Sequence, residues 1–263
     1  MEISNKNIDN GKPFDWGRTS QDYARYRDIY PEEFYRKLTD RGLCVKGQRV
    51  LDIGTGTGVL PRNMYKYGAE WTAADISPHQ IEQAKRLAEQ AGMDISFVVS
   101  PAEELCFDDG YFDVMTACQC FWYFDHEKLM PKLKKMLKSG GRLAVMSMSW
   151  LPFEDRIAGE SERMVLRYSP DWTGAGYTRK QLPPDDAVLR HFKLIDSECF
   201  DLMVHFTRES WHGRMKACRG VGASLDSEAL AGWEREHKAM LEDIAPEEFD
   251  VLHYAEIIIL SNS

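Results

Sequence analysis

The sequence predicts an α/β protein with a parallel sheet, on three observations. Short apolar strands alternate with helical stretches between residues 49 and 148. Glycines punctuate the first strand-to-helix crossing, at Gly54, Gly56 and Gly58. The chain has 263 residues, 43% of them hydrophobic, enough to bury a substantial core, and no apolar run reaches membrane-spanning length. Strands that alternate with helices at this spacing imply βαβ units.

The elements follow in order. A polar and aromatic lead-in carries Phe14, Trp16, Tyr23, Tyr26, Arg27 and Tyr30. Pro31 opens a helical pattern with Phe34, Tyr35 and Leu38 on one side, closed by Gly42. Residues 49–53 read as a buried strand, then the glycine turn, then a helix to Tyr67. Residues 71–75 form a second strand. Ser77 is placed to cap a helix with Pro78 at its first position, running to about Gly92. Residues 95–99 and 112–118 are the third and fourth strands. Asp125 caps a helix through Leu129, Leu133, Met136 and Leu137, stopped by Ser139-Gly140-Gly141. Residues 142–148 are the fifth strand. Beyond Trp150 the rhythm breaks. Residues 151–190, rich in proline and aromatics, read as an irregular insertion or lid. Residues 192–206 contain a strand, 208–245 read as helices, and 253–260 form a final strand. We expect a single domain over 1–263, with 1–48 as an N-terminal lid segment, 49–150 as the ligand-binding core, and 151–190 and 208–245 as substrate-cap insertions.

Charge narrows the function. Forty-two acidic residues against 33 basic ones give a net charge of −9, which argues against general nucleic-acid binding. Arg208, Arg214, Lys216 and Arg219 come closest to a basic stripe and read as a solvated helix face. The six cysteines show no zinc spacing and read as reduced, mostly buried thiols, and no metal site is expected. Cys118 and Cys120 fall on one face of a strand and read as structural thiols rather than a thiophilic-ligand site. The N-terminus, Met1 to Lys6, has no basic patch followed by an apolar stretch. A cytoplasmic location and no membrane association follow as expectations.

The chemistry sits in Val50-Leu51-Asp52-Ile53-Gly54-Thr55-Gly56-Thr57-Gly58. Glycine at alternate positions permits positive φ and lets a ligand lie against the backbone. A dinucleotide turn wants Gly-x-Gly-x-x-Gly, but the third place is Val59. Asp52, two residues before the first glycine, repels a pyrophosphate. It suits a ligand with an ammonium group or ribose hydroxyls, the pattern of S-adenosylmethionine. Asp75 ends the second strand where an acid accepts from ribose hydroxyls, and Ile76 beside it is placed to pack on adenine.

Further segments complete a family pattern. These are Asp52 to Gly58, Asp75, the run Ala102-Glu103-Glu104-Leu105-Cys106-Phe107, the strand end Ala117 to Trp122, and Tyr23 to Pro31. Together they resemble a class I S-adenosylmethionine-dependent methyltransferase. The branch is type 11, which includes ubiquinone-biosynthesis-like and trans-aconitate-like enzymes. Two positions depart from it. Pro101 stands where the family often has Asp or Ser, and Phe121 where some relatives have His. The resemblance implies a Rossmann-like, seven-stranded, mostly parallel sheet with helices on both faces and an antiparallel final hairpin. It implies S-adenosyl-L-methionine as cofactor, S-adenosyl-L-homocysteine as product, and a small-molecule acceptor.

On this reading the cofactor residues are Tyr23, Arg27, Asp52, Gly54, Thr55, Gly56, Gly58, Asp75, Ile76, Ala102, Glu103 and Gln119. Each has a plainer alternative. Asp52 can organise the turn through backbone amides, and Tyr23, Tyr26 and Arg27 can simply pack. Trp122, Trp150 and Trp172 would line the acceptor pocket, with core packing as the alternative for Trp122. His126 and His212 are the weak candidates for a base, against surface positions on helices. Two other readings of the whole chain are a cofactor-binding scaffold without turnover and a NAD-dependent oxidoreductase.

Overall fold

The computed structural model describes residues 4, 6, 8–181 and 183–262. The signal-peptide reading rests partly on Met1, Glu2, Ile3 and Asn5, which lie outside them. The strands are β1 (Arg49–Ile53), β2 (Glu70–Asp75), β3 (Ile95–Val99), β4 (Phe112–Cys118), β5 (Leu137–Trp150), β6 (Lys193–Thr207) and β7 (Glu248–Ser261). They form one seven-stranded sheet in the order β3-β2-β1-β4-β5-β7-β6. The pairs β1–β2, β1–β4, β2–β3 and β4–β5 are parallel. The amide of Leu151 bonds the carbonyl of Leu252 and that of Asn262 bonds the carbonyl of Gly141, so β5 and β7 run antiparallel. The expected doubly wound sheet with an antiparallel final hairpin is the sheet observed.

The helices are α1 (Ser20–Tyr26), α2 (Glu32–Thr39), α3 (Val59–Met64), α4 (Pro78–Gln90), α5 (His126–Met136), α6 (Arg156–Tyr168), α7 (Asp186–Leu189), α8 (Arg208–Lys216) and α9 (Ser227–Ile244). Capping chemistry sets several starts. Ser77 accepts from the Gln80 amide with Pro78 at the first helical position, and Asp125 accepts from the Lys128 amide. Three boundaries differ from expectation. The helix after the glycine turn stops at Met64 and passes into a 3-10 turn over Tyr65–Tyr67. β5 begins at Leu137 rather than after the glycine pair, because β7 reaches far enough to bond Gly140 and Gly141. Residues 151–190 hold a thirteen-residue helix, α6, capped by Asp155 on the Ala158 amide. The prolines at 152 and 170 flank this helix and do not break it.

The chain divides into two compact units. The first holds Met1–Ile29, Ser149–Lys180 and Asp201–Tyr254. The second holds Tyr30–Met148, Gln181–Phe200 and Ala255–Ser263. The core of the second unit gathers Ile53, Phe112, Met115, Leu129, Leu133 and Leu260, all buried. In the first unit, Trp211 and Trp233 are fully buried. An ion pair ties its N-terminal stretch down: Arg219 Nε lies 2.6 Å from Asp9 Oδ2, with both side chains buried. The ring of Tyr26 lies so close to Gly213 that a Cβ there would stand 2.2 Å from it.

Two charge and thiol expectations fail here. Arg214 and Arg219 are buried, not on a solvated face. Arg208 bonds the Ala245 carbonyl, and Lys216 pairs with Asp22 and Glu234. The basic run is spent on joining α8 to its surroundings in the first unit. All six cysteines are free thiols, but only Cys44 and Cys218 are buried, and Cys106 is exposed.

Candidate functional site

The glycine turn is built by the second unit alone. β1 ends at Ile53, and Gly54, Gly56 and Gly58 follow with φ of 66°, 56° and 73°. Left-handed backbone strongly favours residues without a Cβ. At Gly54 space adds a second reason, since a Cβ would lie 2.7 Å from Cys120 Sγ. The Cys120 thiol in turn bonds the Ile53 carbonyl, so strand end and turn are locked from below.

The two motif acids divide the work differently from expectation. Asp75 Oδ2 accepts from the Gly56 amide at 2.8 Å and Oδ1 from the Ser77 amide at 2.8 Å. Asp75 is therefore the turn-organising acid. A carboxylate offers about four lone-pair sites, so acceptor capacity remains for a ligand hydroxyl. Burial raises its pKa, and the two amides work against that rise. Asp52 stands opposite Thr116 in the β1–β4 register and accepts from the Thr116 hydroxyl at 2.6 Å. Only 2% of its surface is exposed. Burial pushes its pKa up to about 7, against the hydrogen bond from Thr116. Its carboxyl thus changes charge near neutrality rather than staying a fixed anion.

The neighbouring strand ends complete this wall. Gln119, just past β4, is held in left-handed backbone at φ 65°. Its amide nitrogen bonds the Met146 carbonyl at 2.9 Å and its side-chain NH2 bonds the Met148 carbonyl. Such strain in a non-glycine residue persists only where the surroundings impose it, commonly at functional sites. Ile76 is half-buried. Thr55 is buried and its amide bonds the Ala74 carbonyl. Ala102 belongs to the second unit's apolar core. Glu103 accepts from the Asp125 amide at 2.8 Å and so fixes the entry to α5.

The remaining candidates scatter. Tyr23 and Arg27 lie in the first unit and engage each other, the guanidinium 4.7 Å above the ring. Trp122 is 49% exposed, which overturns core packing for it. Trp150 donates to Glu162 at 2.9 Å and its ring lies 6.4 Å from that of Trp172. Cβ atoms at Gly174 and Gly220 would each stand within 3 Å of the Trp172 indole, so protein covers that side chain closely. Phe153, among the aromatics of residues 151–190, is 75% exposed.

Neither histidine candidate is a surface base. His126 Nε2 lies 2.9 Å from the Phe121 carbonyl and Nδ1 2.6 Å from Asp185. Both ring nitrogens face acceptors, so the ring links α5 to two neighbouring segments. His212 is buried with its Nδ1 2.9 Å from His237 Nδ1. Burial pushes His212 down to about 4 and His237 down to about 3. His253, which sequence patterning did not single out, is fully buried in β7. It read as part of an apolar strand, and no local signal marks it. Among the described residues no group of three or more His, Cys, Asp or Glu side chains is placed to hold a metal. No helix among them is long and apolar enough to cross a membrane.

With this geometry in view, the comparisons with known proteins fall into place. Residues 51–145 match the family model described as a methyltransferase domain. Over this segment the chain is similar to that family, and the sheet that holds it has the strand order β3-β2-β1-β4-β5-β7-β6. The demethylmenaquinone methyltransferase of Thermus thermophilus is 38% identical over 114 residues, 42% of this chain and 52% of that protein. The ubiquinone biosynthesis O-methyltransferase of Coxiella burnetii is 28% identical over 149 residues, 54% of this chain and 64% of that protein. The chain therefore spans between half and two thirds of the length of these two relatives. Among solved structures, a Haemonchus contortus phosphoethanolamine N-methyltransferase with S-adenosylhomocysteine aligns over 92% of this chain and 57% of its own, with TM-score 0.55. Its 19% identity carries the fold alone.

Proposed function

We propose that the chain is an S-adenosylmethionine-dependent methyltransferase acting on a small molecule, in the cytoplasm, as one catalytic domain. In this reading residues 49–150 bind the cofactor, 1–48 form an N-terminal lid segment, and 151–190 and 208–245 cap the acceptor. The observation that carries it is the Asp75 carboxylate bridging the glycine turn to the end of β2. That bridge holds open a cradle of three left-handed glycines beside an acid with acceptor capacity to spare.

The residues fit the cofactor by their chemistry. Gly54, Gly56 and Gly58 leave no Cβ where a ligand would lie against the turn. Asp75 would take ribose hydroxyls, and Ile76 would cover the adenine. Asp52, ionising near pH 7, would answer an ammonium group. Gln119, held rigidly to β5, would line the transfer path. The bound cofactor supplies a methyl group on a positively charged sulfur. The protein's contribution is then alignment and exclusion of water. Two relatives are named for methylation in quinone synthesis. A planar or apolar acceptor agrees with that and with Trp150, Trp172 and Trp211 in the first unit.

Calorimetric titration with S-adenosylhomocysteine, with NAD as control, tests the reading. The expected result is binding in the micromolar range, about −8 kcal/mol. Asp75→Ala is expected to weaken it by about 10- to 100-fold, the worth of a charge-assisted hydrogen bond. No binding by the wild type, or tighter binding of NAD, overturns the proposal.

A further inference from the structure

A groove of about 370 Å³ opens where the chain enters β6, and every residue that lines it belongs to the second unit. Lys134, Arg190, His191 and Lys193 form its polar wall, and Leu189, Phe192 and Leu194 its apolar one. None of the seven is acidic, in a chain whose net charge is −9. Arg190 is already bonded to Glu127. Among the described residues the side chains of Lys134, His191 and Lys193 meet no hydrogen-bond or ion-pair partner. The two acids that follow on the strand are taken from elsewhere, Asp196 by Arg41 at 2.6 Å and Glu198 by Arg41 at 2.8 Å and by Lys37. The charge of the groove is therefore left unanswered by its own strand.

The apolar side is just as open. Phe192 is buried and forms a floor, while Leu189, Leu194 and Ile195 are each at least 40% exposed. Apolar side chains grouped in water beside a polar rim mark contact surfaces. β6 is the last strand in the sheet order, so one of its sides has no strand beside it. Alternate residues of a strand face opposite ways, yet residues 193–197 are all exposed, so neither face is covered there. Such an edge offers a row of backbone N–H and C=O groups to an added strand.

We propose that this edge and groove receive an extended acidic peptide of a partner protein, which pairs with β6 as a further strand. Its carboxylates lie toward Lys193, Lys134 and His191, and its apolar side chains lie across from Leu194 and Ile195. An anionic lipid surface would answer the charges but not the backbone groups of the edge, so the peptide is the better fit. The surface is remote from the glycine turn. Lys134 sits in the last turn of α5, just before β5 starts beside the start of β4, whereas the turn follows the end of β1, which runs parallel to β4. The proposal therefore stands independently of the methyltransferase reading.

The test uses the full chain and an acetylated, amidated heptapeptide of alternating glutamate and valine, with glutamine in place of glutamate as control. Calorimetry is expected to show the glutamate peptide binding about tenfold tighter than its control, the worth of a few exposed ion pairs, with the advantage shrinking as salt rises. Hydrogen exchange is expected to slow at amides within residues 193–197 when the glutamate peptide binds. Lys134→Glu combined with Lys193→Glu should weaken the glutamate peptide about tenfold and make a lysine–valine peptide the better ligand. Leu194→Asp should weaken it by a similar factor. Unchanged denaturant midpoints serve as the check that these surface variants fold. Equal binding of the glutamate and glutamine peptides, binding of neither, or unchanged exchange over 193–197 overturns the proposal and leaves the lysines as guards of a bare edge. A charge-reversed variant that keeps its preference for glutamate does the same. Capture by phosphatidylglycerol vesicles without peptide binding also overturns it, in favour of a lipid surface. If a variant does not fold, the wild-type peptide comparison and exchange decide.

Discussion

The two units bury polar groups by different means. In the second, the buried Asp52 and the half-buried Asp75 are partnered by Thr116, Gly56 and Ser77, all on the strands and turns around the motif. In the first, the partners belong to no such motif: Asp9 answers Arg219 from 210 residues away, His212 answers His237, and Glu162 answers Trp150 and Gly176. The second unit's acids belong to a motif whose glycines announce the backbone around them. The first unit's pairings belong to no motif and follow from packing.

The sharpest way to break this comparison is glycine substitution in each unit. Gly54→Ala combines a left-handed φ with a Cβ on Cys120, and is expected to cost about 3 kcal/mol or more. Gly213→Ala drives a Cβ into Tyr26, at about 1–3 kcal/mol. Hydrogen exchange should show the loss of protection confined to the second unit in one case and to the first in the other. Loss throughout the chain in both would dissolve the distinction.

Acidification is expected to act next, through the first unit. An unfolded histidine takes up a proton below about pH 6.5. His212, His237 and His253 stay neutral in the native state down to about 4, 3 and 3. The unfolded state then binds more protons, so stability falls as pH drops from about 6.5 toward 4. By pH 5 the loss is about 2 kcal/mol per ring. Denaturant midpoints for wild type and His237→Phe check it. Parallel curves between pH 5 and 7 would show that the histidines are not buried neutral.

Asp52 gives the second unit an opposite signature. Its raised pKa means that the native carboxyl holds a proton up to about pH 7, where an unfolded carboxyl has lost it near 3.8. The stability this contributes is present at low pH and lost as pH rises through about 7. A ligand ammonium beside it would lower that pKa, so binding S-adenosylhomocysteine at pH 6 should release close to one proton. Calorimetry at pH 6 in buffers of different ionisation enthalpy measures the release. The same heat in every buffer would leave Asp52 with Thr116 alone.

The smallest expected effect is at His126. Its ring joins the Phe121 carbonyl to Asp185, whose carboxylate is held below its usual range by His126 and the Val188 amide against the opposing effect of burial. His126→Ala should cost about 1–2 kcal/mol of stability and leave cofactor affinity unchanged. A loss of binding at full stability would return His126 to the site.

Much of the fold was legible because its signals are short in range. Alternation marked β1 to β4, Ser77 and Asp125 capped the helices they were expected to cap, and the glycines marked the turn. Less legible was which acid would do what. Asp52 and Asp75 are both plausible turn organisers on paper, and only the parallel register that sets Asp52 beside Thr116 separates them. The basic residues of α8 misled because charge alone does not say that Arg219 will meet Asp9 from the other end of the chain.

By itself, then, the sequence determined the order of strands and helices, the left-handed turn and the acids at its rim. Each of these follows from the conformational preference of a few neighbouring residues. The tertiary structure decided the rest: the left-handed Gln119 bonded to β5, the tryptophan clamped beside Gly174 and Gly220, and the buried imidazole of His253 stacked on Phe206. Those depend on desolvation and on contacts between distant segments, and burial of a polar group has an energy only once its neighbours are known.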